Sequence, residues 1–333
     1  MKKFFLLVLI LFTALLAACS GENEEESGEG DSSGEESRSV TVEDATGEKT
    51  IEGTPENVVV LEWSYAEELQ ALGMEPSGVA DLDSYGDWVD VGQPFSEEVE
   101  DVGTRQEPSL EAISRLEPDL IIGVDFRHEE IAEDLEEIAP TLMFAPYSEE
   151  SAENQFDSML DEFDTIAEAV DREEEADEAV NDMEQTFEDQ RARLEEAGQE
   201  DMNYVMTQAF TAQNTPTLRL FTDNSMVANV MDELGMNNDY ESEELELYGY
   251  TETTVESLQN YQDSNFFYIV QDEDNIFNEE LDGNPVWEDL DFVQEDRLYQ
   301  MPGSTWTFGG PLSAEVLAEQ VVDSIVEKED EDE

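Results

Sequence analysis

Lysine is nearly absent from this sequence. Beyond Lys2 and Lys3 only Lys49 and Lys328 occur, and with nine arginines the 333-residue chain carries 13 basic residues. No basic stripe is available to neutralise phosphates, which excludes a nucleic-acid backbone as partner. Docking flat on an anionic lipid surface fails for the same reason. Histidine and cysteine occur once each, as His128 and Cys19. One of each leaves no Ser-His-Asp or Cys-His arrangement, no zinc site of the usual kind and no disulfide within the chain. Neither a G-x-G-x-x-G fingerprint nor a phosphate loop is present. Carboxylate pairs for glycoside chemistry stay open because acids are everywhere, but no pair stands out. His128, in Arg127-His128-Glu129-Glu130, reads as a helix-start residue with a solvated ring, a ligand role being the alternative.

What is abundant is negative charge: 89 Asp and Glu give a formal net charge of −76. An acidic, lysine-poor surface suits work in high salt, where carboxylate repulsion is screened within a few Å. An ordinary acidic secreted protein is the alternative. The chain is 39% hydrophobic, in patterned blocks, so it can bury a core. Residues 1–18 run from two lysines through an apolar stretch to small residues, the pattern of a secretory signal. Leu16-Ala17-Ala18-Cys19 resembles the lipobox of bacterial lipoproteins, which predicts a lipid on Cys19 and anchoring on the outer face of the cell membrane. Residues 21–37 contain only Gly, Ser, Asn, Glu and Asp, the composition of a solvated tether.

Beyond the tether, strand and helix patterns alternate. Val58-Val59-Val60-Leu61, Leu120-Ile121-Ile122-Gly123-Val124 and Thr141-Leu142-Met143-Phe144 read as buried strands. Helices are expected over 66–72, closed by Gly73, from Pro108, and over 129–138. The second half repeats the order. Leu234-Gly235-Met236 echoes Leu72-Gly73-Met74, Thr254-Val255-Glu256-Ser257-Leu258 echoes Ser109-Leu110-Glu111-Ala112-Ile113, and a strand over 266–270 echoes 120–124. Between the halves, apolar residues from Phe156 to Leu194 keep 3–4 spacing, interrupted at Asp171-Arg172, which predicts helix broken once. The fold class is therefore α/β: two similar lobes bridged by a long helix. The expected divisions are a signal at 1–18, Cys19 and an acidic tether over 19–39, an N-terminal lobe over 40–160, a bridging helical segment over 161–199, a C-terminal lobe over 200–327 and an acidic tail at 328–333.

Functional information lies in the exceptions to the acidity. Arg105 sits in a Gly/Pro-bounded loop, Val102-Gly103-Thr104-Arg105-Gln106-Glu107-Pro108, and Arg219 in Thr217-Leu218-Arg219-Leu220-Phe221. Trp63, Tyr65, Tyr85 and Trp88 follow strands of the first half; Tyr248, Tyr250, Trp306 and Phe308 do so in the second. Aromatics at strand ends with an arginine from each lobe suit an oxygen-rich anionic ligand held between lobes. Either arginine could instead pair with a neighbouring carboxylate, a reading that stays open for Arg219 above all.

These motifs together resemble the iron–siderophore substrate-binding lipoproteins of ABC importers. The likeness covers roughly residues 40–327 and rests on Val60-Leu61-Glu62-Trp63, on Gly103-Thr104-Arg105 through Pro108-Ser109-Leu110-Glu111, on Leu116-Glu117-Pro118-Asp119 with Ile138-Ala139-Pro140-Thr141, on Asn284-Pro285-Val286-Trp287, and on Trp306-Thr307-Phe308-Gly309-Gly310-Pro311-Leu312-Ser313-Ala314-Glu315. It implies a periplasmic-binding-protein-like fold of the helical-backbone type with little closure on binding. It also implies a monomer without catalysis, resident cofactor or protein metal ligands, touching the membrane only through its anchor. The hydroxamate branch, including citrate–hydroxamate binders, is the nearest likeness. By that match Arg105 contacts the iron-bound oxygens, Arg219 is a second anion contact, and Trp63, Tyr65, Tyr85, Tyr248, Trp306 and Phe308 join the ligand site. Phe308 stands where relatives carry tyrosine, which leaves the ligand open. The match also makes Glu111 and Glu256 the docking points for the permease subunits; as acids in the first turn of a helix, both are also favoured by the helix dipole alone. Competing readings are a receptor for a catecholate siderophore, cobalamin or haem, a secreted carboxylate-based hydrolase, and a polyanionic scaffold without a pocket.

Overall fold

A computed structural model describes residues 38–213 and 215–332. The signal segment, Cys19 and the tether to residue 37 lie outside them. The described chain opens with a hairpin, β1 (Ser39–Asp44) and β2 (Gly47–Glu52), which buries Val42 and Ile51. The tether expected to reach residue 39 therefore ends sooner. Arg38 already donates to Gly53 O and Ala169 O, both at 3.1 Å, and pairs with Asp171.

The apolar runs of the N-terminal lobe form a wholly parallel five-stranded sheet of order β5-β4-β3-β6-β7. In chain order it is built from β3 (Val58–Val60), α1 (Trp63–Ala71), β4 (Gly78–Val79), α2 (Leu82–Trp88), β5 (Glu100–Asp101), α3 (Leu110–Arg115), β6 (Leu120–Val124), α4 (Asp125–His128), α5 (Ala132–Glu136) and β7 (Thr141–Phe144). Strands buried on both faces need no polar alternation, and every residue of β3, β6 and β7 is buried. Gly73 ends α1 in the left-handed conformation, with Gly73 N–H donating to Gln70 O and Met74 N–H to Leu69 O. The helix expected over 129–138 is divided by a 3-10 turn at Glu129–Ile131.

The bridge is helical and broken once. α6 (Gln155–Val170) starts against the C-terminal lobe, Gln155 N–H donating to Asn224 O and its side chain to Leu247 O, both at 3.0 Å. It ends in the N-terminal core through Phe163, Ile166 and Val170. Asp171, left-handed at φ 63°, terminates it. α7 (Glu173–Ala197) then leaves the N-terminal core at Ala176 and Ala179 and enters the C-terminal core at Met183, Phe187 and Leu194. At ~1.5 Å per residue it runs about 37 Å, enough to cross a lobe-to-lobe junction.

The C-terminal lobe departs from a simple repeat. Its elements are β8 (Asn203–Ala212), β9 (Thr215–Phe221), α8 (Met226–Glu233), β10 (Asn237–Asn238), β11 (Tyr250–Thr253), β12 (Asn265–Val270), α9 (Pro285–Glu288), α10 (Asp291–Gln294), β13 (Leu298–Pro302) and α11 (Pro311–Asp332). β8, β10, β12 and β13 are parallel, but β9 pairs antiparallel with both β8 and β11. The Leu-Gly-Met repeat is structural: Gly235 caps α8 with the same bonding as Gly73. The segment matching α3 is a 3-10 helix, Val255–Asn260. The expected acidic tail from 328 is instead continuous with α11 to Asp332, and Lys328 pairs with Asp296 at 2.9 Å.

Candidate functional site

Ligand sites of parallel α/β sheets form beyond the carboxyl ends of the strands, and the principal cavity lies there. It measures about 320 Å³ and opens between the lobes. The N-terminal lobe lines it with Glu62, Trp63 and Tyr65 after β3, Arg105 before α3, and Phe126 and Arg127 after β6; Tyr147 follows β7. The C-terminal lobe contributes Gln208, Arg219, Tyr248, Tyr250 and the loop Trp306–Gly309, and α6 supplies Met159 and Glu162. A second hollow behind Trp88, Gln208 and Arg219 shares those three side chains and is otherwise lined mostly by apolar groups of β8 and β12.

Three of the nine arginines line this cavity, which sets it apart from a surface where arginines merely answer nearby acids. Each lies over an aromatic ring: Arg105 over Trp63 at 3.5 Å, Arg127 over Phe126 at 4.8 Å and Arg219 over Tyr250 at 4.6 Å. The rings form an arc around the cavity. Phe126 meets Tyr147 at 5.1 Å, Tyr147 meets Tyr248 at 4.7 Å, and contact continues through Tyr250, Phe308 and Trp306 back to Trp63. Phe126 and Tyr248, 41% and 46% exposed, mark the mouth.

The N-terminal arginines are held by a buried carboxylate. Glu62 receives Arg105 Nη1 at 2.9 Å on one oxygen and Arg127 Nη1 on the other. Asp81 accepts Arg105 N–H at 2.8 Å and lies 3.5 Å from its Nε. Burial lowers the pKa of both arginines, a cost that Asp81 offsets for Arg105, and both Nε–H donors are without a hydrogen-bond acceptor. An oxygen-rich anion would supply one. Trp306 Nε1 and Thr307 Oγ1 also lack partners in this cavity.

His128 is not solvated. It is fully buried, its Nδ1 accepts Val124 N–H at 3.0 Å and its Nε2 lies 2.9 Å from Arg105 O. Gly123 makes room for it: a Cβ there would stand 2.9 Å from Nδ1. The acceptor role of Nδ1 places the proton on Nε2, and burial lowers the pKa, so a neutral ring fastens the loop that carries Arg105.

The two lobes are pinned beside the cavity. Glu67 of α1, fully buried, accepts Gly310 N–H at 3.0 Å, Ser313 N–H at 2.7 Å and the Ser313 hydroxyl at the start of α11. Burial outweighs these bonds and pushes its carboxyl up to about 7. A Cβ on Gly310 would lie 2.7 Å from Glu68 Cγ, so the approach requires the Gly309-Gly310 pair.

Of the expected ligand residues, Arg105, Arg219, Trp63, Tyr65, Tyr248, Trp306 and Phe308 line the cavity together. Tyr85 does not. Its ring is buried behind Trp63 and against Phe95, and its hydroxyl donates to Gln70 at 3.2 Å, because α2 turns this face inward. Arg219 lines the cavity and also pairs with Glu252 at 3.3 Å. Glu111 and Glu256 are exposed, one in the first turn of α3 and one at the start of the 255–260 turn. Sequence reasoning missed Arg127, Phe126, Tyr147 and the pairing role of Glu62; the scarcity of arginine that singled out Arg105 applied equally to Arg127. Among the described residues, no group of three or more His, Cys, Asp or Glu is placed to hold a metal ion, and no helix is long and apolar enough to cross a membrane.

Comparison with known proteins adds to this geometry. A family model described as periplasmic binding protein matches residues 58–305. The Fe(3+)-citrate-binding protein YfmC of Bacillus subtilis is 32% identical over 322 residues, 96% of each chain. The iron(3+)-hydroxamate-binding protein FhuD of Escherichia coli is 27% identical over 266 residues, 78% of this chain and 83% of that one. Among solved structures, a siderophore-binding FhuD of Vibrio cholerae with bound Fe3+–Desferal superposes with a TM-score of 0.72, at 26% identity, over 81% of this chain and 97% of that one.

Proposed function

The chain belongs to the periplasmic binding protein family, and from that premise we propose that it captures a ferric siderophore between its lobes and delivers it to the permease of an ABC importer. The observation that carries this reading is the set of three arginines, each on an aromatic ring, around one cavity of a strongly acidic chain. The iron arrives already coordinated, so the protein supplies no metal ligands. It supplies guanidinium donors for the chelating oxygens and rings for the apolar stems. The function is binding and hand-over; the relatives are named as binding proteins.

Within this reading the ligand is of the hydroxamate type, supported by the likeness to FhuD proteins. A ferric citrate complex is the second reading, favoured by the 32% identity to YfmC. Titration of intrinsic tryptophan fluorescence in molar salt tests both, since Trp63 and Trp306 line the cavity. Quenching by a ferric hydroxamate at sub-micromolar concentration is expected, and competition with ferric citrate, a ferric catecholate, cobalamin and haem ranks the alternatives. No response to any of them would sink the reading.

The rest of the assignment concerns delivery. A lipid on Cys19 would hold a monomer on the outer face of the cell membrane, and the acid surplus would keep it soluble in high salt. Glu111 and Glu256, one per lobe, would pair with arginines of the two permease subunits. Glu111→Ala with Glu256→Ala is expected to leave ligand affinity unchanged and to abolish uptake of the ferric complex by cells; normal uptake would remove the docking role.

A further inference from the structure

One part of the cavity has chemistry opposite to the arginines. Glu68, 1% exposed, lines it from α1, and its Oε2 has no hydrogen-bond partner. Glu162 lines it from α6 and accepts the Tyr65 hydroxyl at 3.0 Å. None of the ion pairs among the described residues involves either carboxyl. Two acids without a cation, Glu68 buried with an idle oxygen and Glu162 half-buried, are an expensive arrangement unless something else occupies the space.

We propose that Glu68 and Glu162, with Tyr65 between them, form a subsite for a primary ammonium group on an arm of the bound chelate. The ligand then lies across the cavity with its iron-bound oxygens on Arg105 and Arg127 and its cationic arm on the two carboxyls. An ammonium has three donors, enough for both acids. The arginines exclude a cation from their own end, and the overall negative field favours one here. The inference rests on the cavity being a siderophore site.

The surroundings fix the proton balance. Glu68 faces Tyr65 and Glu67 of its own helix and Glu162 of α6; Glu67 is already tied to Gly310 and Ser313. Glu162 faces Tyr65, with Asp125 and Asp161 adding repulsion. Burial pushes Glu162 up to about 8 and raises Glu68 well above the ordinary carboxylate range, which favours the protonated form of both. An entering ammonium keeps its own proton and ionises one carboxyl, and that carboxyl's proton passes to solvent.

Calorimetric titration at pH 7 in molar salt, in two buffers of different ionisation enthalpy, tests this with two probes. Ferric desferrioxamine B carries a terminal primary ammonium; its N-acetyl derivative has the same iron centre and no charge on the arm. The ammonium form is expected to bind on the order of tenfold tighter and to release about one proton per ligand, the acetyl form to release none. Glu68→Gln combined with Glu162→Gln should bring the two affinities together and abolish proton release, while retained binding of the acetyl form reports an intact fold. Equal affinities without proton release in the wild type overturn the subsite but leave the siderophore reading standing. So does a preference that survives both Glu68→Gln and Glu162→Gln. Failure of both chelates to bind overturns the siderophore reading and the subsite with it.

Discussion

The two walls of the cavity hold their arginines in different ways. On the N-terminal wall, Arg105 is stacked on Trp63, paired with the buried Glu62, bonded through its backbone to Asp81 and His128, and only 20% exposed at its side chain. Arg127 shares Glu62. On the C-terminal wall, Arg219 reaches a half-exposed Glu252 at 3.3 Å and Gln208 at 3.2 Å, distances at the long end of hydrogen bonding, and lies between Phe210 and Tyr250. A donor fixed from several sides is pre-organised for one geometry; a donor with loosely held side-chain partners can follow the ligand. On the proposed function, the N-terminal wall would read what ferric chelates share, and the C-terminal wall would adjust to how they differ.

The sharpest way to break this contrast is to remove one arginine from each wall. Arg105→Ala takes away a charge-assisted donor at a desolvated position and leaves Glu62 with one cation. We expect ferric hydroxamate affinity to fall by on the order of 100-fold, about 3 kcal/mol, measured by tryptophan quenching. Arg219→Ala loses a donor that is already shared with solvent and Glu252. A loss of on the order of fivefold is expected for a compact chelate, and more for one with bulky arms that reach the second hollow. Equal losses for the two variants would erase the difference between the walls.

The same contrast explains how much could be read from the sequence. Strands β3, β6 and β7 are continuous apolar runs, and the left-handed caps at Gly73 and Gly235 were visible as Leu-Gly-Met, so the layered α/β fold was legible. The C-terminal sheet was less so. In the antiparallel pair β8–β9 a ten-residue strand extends well beyond the short apolar run Tyr204-Val205-Met206, and nothing local announces that Gln208 and Arg219 face one another across it. At the site, rarity found Arg105 and Arg219, but position relative to a strand end did not separate Trp63, which lines the cavity, from Tyr85, which packs behind it. His128 shows the limit clearly. Four residues in a charged string suggested solvent, whereas Gly123, on the neighbouring strand, opens the space that buries the ring. A vacancy left by a glycine five residues upstream has no periodic signal.

Between the walls stands α6, and its Glu162 supplies the smallest effect. Its carboxyl is raised from 4.5 to about 8 in the folded protein, chiefly by burial. In the unfolded chain the same group ionises near its ordinary value. From pH 4.5 to 8 the folded state thus binds more protons than the unfolded one, and stability falls as pH rises through that window. Below it both states are protonated, and above it both are ionised, so the slope vanishes at either end. Rising pH also adds surface repulsion in so acidic a chain, but molar salt shortens its range to about 3 Å, leaving the buried group's share visible. Between pH 5 and 9 the wild-type Tm should drop by on the order of 5 °C more than that of Glu162→Gln, whose carboxamide keeps the shape and does not titrate. Parallel curves for the two proteins would mean that the Glu162 carboxyl ionises freely beside Tyr65, and that the space between the walls is wet rather than closed.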